Sequence, residues 1–292
     1  MIYLLLIPVL LILAFVAAIH LGFKAPRLSN DIHPSEYGMK AETHNLVGQQ
    51  GSQLSIWWIA ADQPSDITVV IMHGWGANKS LLLPLAKPFY AEGYNVLLLD
   101  AHNHGDSEKR GVSTMPKFAE DVTSAMDWLK QNRVDASQQV IVVGHSVGAA
   151  AVLLAAANGL QANVVIAIAS FVHPKLMMQR SLQKVSSVPG LVPLISRYVQ
   201  WVIGHQFDEI APLTSISKIQ QPTLLVHGSV DSVIPLDDFH LLCDAQNESK
   251  NNRHIECLEI PEAEHDSIDK IEEHFGELND FIHGHLAPNN LR

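Results

Sequence analysis

The chain has 292 residues, enough for one large domain or a domain with an appendage, and 47% hydrophobic against 17% charged residues is the composition of a packed core. A net charge of −11 without any Lys/Arg cluster excludes nucleic-acid binding, which needs a basic footprint to displace counterions. No repeat or low-complexity tract interrupts the sequence.

The uncharged run Ile2 to Ile19 would span about 27 Å as a helix, so residues 1–23 are predicted to be a membrane anchor. The alternative, a cleaved signal peptide, lacks its basic leader. Lys24, Arg27 and Lys40 follow the run and no basic residue precedes it, which predicts that the large C-terminal part faces the cytoplasm. Residues 24–39, with Pro34 and Gly38, form a polar linker.

From residue 40 to about 285 apolar strands alternate with helices. Met39 to Val47 and Leu54 to Ala60 predict a hairpin, Ile67 to Met72 and Asn95 to Asp100 predict buried strands, and Gln139 to Gly144, Val164 to Ala169, Thr223 to His227 and His254 to Ile260 predict further strands. Lys79 to Glu92, Met115 to Asn132, Ser146 to Asn158, Leu236 to Asn247 and Asp266 to Ile282 predict the helices between and after them. Such alternation implies a mainly parallel sheet covered on both faces. The rhythm breaks at about 171–215, where an insert with the apolar segment Leu191 to Ile203 predicts a small helical cap whose apolar face, Trp201 included, is expected to line an acyl pocket or to meet the lipid interface.

Chemistry concentrates at Gly144-His-Ser146-Val-Gly148. A strand ending in G-x-S-x-G and turning at once into a helix holds Ser146 on a sharp turn above the sheet, with the helix N-terminus beside its oxygen. A serine needs a base and an orienting acid. Asp231 and His265 follow two later strands, and the order Ser146, Asp231, His265 is the one a nucleophile elbow uses. Oxyanion stabilisation needs two amides, for which Val147 and Trp75 of His73-Gly-Trp-Gly76 are the candidates; His73 is expected to brace that loop. The histidine pairs His102-Asn-His104 and His283-Gly-His285 lack metal-ligand spacing, so no metal and no cofactor is expected. Cys243 and Cys257 are expected to be separate buried thiols rather than a pair.

HGWG, LLDAHNHGDS, GHSVG, LLVHGSVDSVIP and AEHD resemble the α/β-hydrolase superfamily from about Lys40 to Ile282. The resemblance implies the α/β-hydrolase fold: a mainly parallel eight-stranded sheet, helices on both faces and a small cap. It makes Asp100 and the His102 to Ser107 loop structural, with a minor claim for Asp106 to charge work. A serine at the nucleophile position excludes the aspartate-dependent epoxide hydrolases and dehalogenases. The expected function is hydrolysis of a carboxylic ester or thioester through an acyl-enzyme, on a small-molecule or lipid-like acyl substrate. A peptidase or acyltransferase with the same residues, and a non-catalytic scaffold that keeps the fold, stand as alternatives.

Overall fold

The computed structural model describes residues 2–22, 24–49, 51–182, 190–248 and 254–287; Pro189 and the middle of the predicted hairpin turn, Gln50, lie outside them. The side chains of residues 2–9, 11–12 and 246–248 are likewise undescribed. Strands β1 (Ala41–Val47), β2 (Gln53–Ile59), β3 (Ile67–Met72), β4 (Asn95–Leu99), β5 (Gln139–His145), β6 (Val164–Ile168), β7 (Thr223–Gly228) and β8 (Ile255–Ile260) form one eight-stranded sheet in the order β1-β2-β4-β3-β5-β6-β7-β8. β1, β2 and β4 pair antiparallel; every other pairing is parallel.

The centre of the sheet follows from side-chain type. β3, β5 and β6 are unbroken runs rich in Val and Ile with every residue buried, because helices cover them on both sides. On one face lie α3 (Met115–Asn132), α4 (Val147–Ala157) and α9 (Leu236–Glu248), on the other α2 (Leu83–Ala91), α10 (Ile268–Glu273) and α11 (Phe275–His285). The alanines of α4 present so little bulk that the helix lies directly on the sheet, with Gly148 to Ala156 all buried. Between β6 and β7 the chain makes α5 (Pro174–Ser181), α6 (Leu191–Ile203), α7 (Phe207–Ile210) and α8 (Pro212–Ile216).

Several expectations are corrected. The N-terminal run forms α1 (Ile2–Gly22), but among the described residues no helix is long and apolar enough to cross a membrane, so the predicted span has no structural support. Its described side chains instead reach the rest of the protein: Phe15 packs on Tyr198 at a ring distance of 6.3 Å. Cys243 and Cys257 are bonded to each other, because α9 packs beside β8 and brings their Cα atoms to 6.3 Å. Trp201 is 75% exposed, since α6 turns Ile195 inward and Trp201 outward, which takes it out of the expected acyl pocket and leaves untouched the expectation of a lipid interface. The closing helix is broken at His274 into α10 and α11, and the segment from Lys79 opens as a 3-10 turn before α2.

Candidate active site

The parallel strands end on one edge, and the loops after β3, β5, β7 and β8 meet there. β5 delivers Ser146 into a backbone conformation of φ 55° and ψ −120°, a strained state for a residue with a side chain. Such a turn demands small neighbours. A Cβ on Gly144 would sit 2.3 Å from the Gly148 carbonyl oxygen, and one on Gly148 would sit 2.5 Å from the carbonyl oxygens of Met72 and His73. Both glycines are therefore required by close backbone approach rather than by their own dihedrals. Gly74 shares that crowding, since a Cβ there would come 3.0 Å from the Cβ of Ser146.

The structure brings the three sequence-predicted side chains into one hydrogen-bonded line. His265 Nε2 lies 2.9 Å from Ser146 Oγ, and His265 Nδ1 lies 2.8 Å from Asp231 Oδ2. The other oxygen of Asp231 accepts the Val233 and Ile234 amides at 2.8 and 2.7 Å. Burial opposes a charge on Asp231, but the His265 bond and the Ile234 and Val233 amides outweigh it and hold its pKa below the ordinary carboxylate value. An ionised Asp231 fixes the proton of His265 on Nδ1. Nε2 is then an acceptor for the serine hydroxyl.

Two amides flank the serine. Val147 opens α4 and Trp75 sits in the loop after β3, and among the described residues no acceptor takes either N–H. The Trp75 loop is braced by histidines whose tautomers are set by their partners. His73 accepts the Ala101 amide at Nε2 (3.0 Å) and donates from Nδ1 to the Gly74 carbonyl (2.7 Å). His104 likewise accepts the Gly76 amide and donates to the His102 carbonyl. Burial foremost, then the nearby His104, pushes the His73 pKa down to about 4.

Asp106 is not part of this line. It binds Lys79 at 3.0 Å and Asn30 at 2.8 Å, beside the fully buried Lys79–Asp100 ion pair. Sequence reasoning missed His145: its imidazole is buried and reaches the His265 carbonyl oxygen at 2.8 Å. The only signal was its place between Gly144 and Ser146, which any residue can fill. His145, His265 and Asp266 also offer ligand atoms within 4.8 Å of one another. A metal ion bound there would compete with the bonds that join His265 to Ser146 and Asp231.

A cavity of about 630 Å³ opens beside the serine, with Trp75 and Val147 in its wall and Phe171, Met177, Ile195 and Phe207 among the rest. Among the described residues no charged side chain lines it.

A family model for serine aminopeptidases of family S33 matches residues 63–212, more than half of the chain. The chain belongs to this α/β-hydrolase family. Members share a serine-hydrolase architecture, which accounts for the elbow after β5 and the loop order along the sheet edge. The chain is 25% identical to the uncharacterized protein YfhR of Escherichia coli K12 over 97% of both chains. It is 26% identical to the uncharacterized protein YqkD of Bacillus subtilis, over 76% of this chain and 73% of that one. Among solved structures it resembles the esterase Pf2001 of Pyrococcus furiosus, with a TM-score of 0.74 and 22% identity over 90% of this chain and 100% of that one; this likeness is one of fold.

Proposed function

We propose that this chain is a serine esterase that cleaves carboxylic esters of apolar acyl groups through an acyl-enzyme. The observation that carries the reading is the 2.9 Å contact of His265 Nε2 with Ser146 Oγ, next in sequence to Val147, which lines a cavity without charged side chains among the described residues. His265 takes the hydroxyl proton as Ser146 attacks the acyl carbon, and Asp231 stabilises the imidazolium that forms. The Val147 and Trp75 amides, which have no acceptor among the described residues, receive the oxyanion. His265 passes its proton to the leaving oxygen. Water activated by the same imidazole then releases the acid.

The family name suggests a peptidase, and the same residues serve that chemistry. An aminopeptidase must hold a free ammonium group, for which a carboxylate is the natural partner, and the cavity lining contains none among the described residues. That favours neutral acyl esters or thioesters. The esterase Pf2001, which has the same fold, is in line with this choice. The helices between β6 and β7 act as a cap over the cavity, α6 supplying part of its wall. On location, the basic residues after α1 argue for the cytoplasm only if α1 spans a membrane, a span without structural support, while the Cys243–Cys257 bond argues for an oxidising compartment. We give the disulfide the greater weight, because only three charges support the opposite orientation.

Labelling with a fluorophosphonate probe tests the reading. The wild type should label on one serine and Ser146→Ala should not; equal labelling of the two would overturn it.

A further inference from the structure

The sheet and its covering helices supply only part of the cavity beside Ser146. One wall comes from α1. Phe15, Ala18, Ile19 and Gly22 line it, and their spacing of i, i+3, i+4 and i+7 places them on one face of the helix. Leu10, Leu13 and Leu21, on the opposite face, are exposed. From the other side α6 contributes Leu191, Ile195 and Val199, again one face at i, i+4 and i+8. The two helices are tied by a hydrogen bond of 3.0 Å between His20 Nε2 and the Tyr198 hydroxyl, and by the packing of Phe15 on Tyr198. Two apolar helix faces are thus held apart across a slot that ends at Trp75 and Val147.

We propose that the C-terminal half of α1 is a specificity element of the active site: with α6 it clasps the unbranched aliphatic acyl chain of the substrate while the chain's carbonyl lies at Ser146. This rests on the serine-esterase reading. The slot is of the size that takes a drug-sized ligand, about 300–1,000 Å³. Its wall is mostly apolar, aliphatic, aromatic and thioether, with Met177 and Met178 as adaptable side chains and the hydroxyls confined to Ser113, Thr114 and Ser181. A fatty acyl chain gains from each methylene it buries, roughly fourfold in kcat/KM per methylene, and among the described residues no charged side chain in the wall would pair a charged substituent. The N-terminal run would then be retained for its inward face, independently of any role as an address.

The test compares acetyl, octanoyl and dodecanoyl esters of one neutral phenol on the full chain, on Ala18→Trp, which fills the slot, and on Ala17→Trp, whose side chain projects from the exposed side of α1. The dodecanoyl-to-acetyl ratio of kcat/KM should fall at least tenfold in Ala18→Trp and stay within twofold of wild type in Ala17→Trp. Binding of dodecanoate to Ser146→Ala, measured by calorimetry, supplies a readout without turnover; adding Ala18→Trp should weaken it at least tenfold. If Ser146 reacts with a fluorophosphonate but Ala18→Trp alters neither the chain-length ratio nor dodecanoate binding, the inference is overturned while the esterase reading stands. If Ser146 does not react, the esterase reading fails first. Dodecanoate binding then decides the slot alone: dependence on Ala18 supports it, and indifference or no binding overturns it.

Discussion

The Nε2 atom of His145 lies 2.8 Å from the carbonyl oxygen of His265, so the residue just before Ser146 holds the backbone of His265. Burial foremost, and the neighbouring His265, push the His145 pKa down, which keeps the ring neutral and leaves Nε2–H as the donor. On the proposed mechanism His145 is a positioning residue. His145→Phe should lower kcat about tenfold to a hundredfold with KM nearly unchanged, because misplaced catalytic geometry is felt in the transition state. His145→Gln, which can return an amide N–H to the carbonyl, should recover most of the loss. Steady-state kinetics with wild-type kcat in His145→Phe would remove this role.

Asp231→Asn should be severe. The amide favours the wrong His265 tautomer, and a loss of about three to four orders of magnitude in kcat is expected. Asp106→Asn should leave kcat close to wild type, because Asp106 faces Lys79 and Asn30. Measuring kcat for the two variants separates the acids, and the reverse ranking would reassign the orienting carboxylate.

His73 makes the fold sensitive to acid. Its folded pKa, about 4, lies below the ordinary value of 6.5, so the unfolded chain takes up the proton first as pH falls. Its contribution to stability is complete above about pH 6.5 and is lost progressively down to about pH 4. A second proton on His73 would also set an N–H against the Ala101 amide. Imidazole carbon shifts should show His73 still neutral at pH 5; titration near 6.5 would contradict the geometry of the loop.

The Cys243–Cys257 bond closes a loop with a sequence separation of 14. Chain entropy assigns such a loop about 3 kcal/mol. Reduction, or Cys243→Ser, should therefore lower the melting temperature by roughly 5–10 °C. Denatured protein prepared under alkylating conditions should show no reactive thiol, and labelling of both cysteines would refute the pair.

The elbow was legible in the sequence because its chemistry is local. Gly144 and Gly148 stand where backbones approach to 2.3 and 2.5 Å of a missing Cβ, and that demand leaves a fixed spacing. Asp231 and His265 were legible for a related reason: each follows a strand, and parallel strands bring their ends together. The disulfide was not, since whether two cysteines meet depends on how α9 lies against β8. The inward face of α1 was hidden by its composition. With hardly a polar residue, the helix carries no periodicity that separates Phe15 and Ile19 from Leu13 and Leu21. Trp201 misled for the opposite reason, because the largest apolar side chain of α6 sits on its outward face.

The central claim is that Ser146 carries the acyl group, and the most direct measurement is the mass of the protein during turnover. Wild type quenched in acid while hydrolysing an octanoyl ester should show one octanoyl adduct, mapped to the peptide that contains Ser146 and absent from Ser146→Ala, which should not turn over the ester. Undiminished hydrolysis by Ser146→Ala, or an adduct on another residue, would contradict the account.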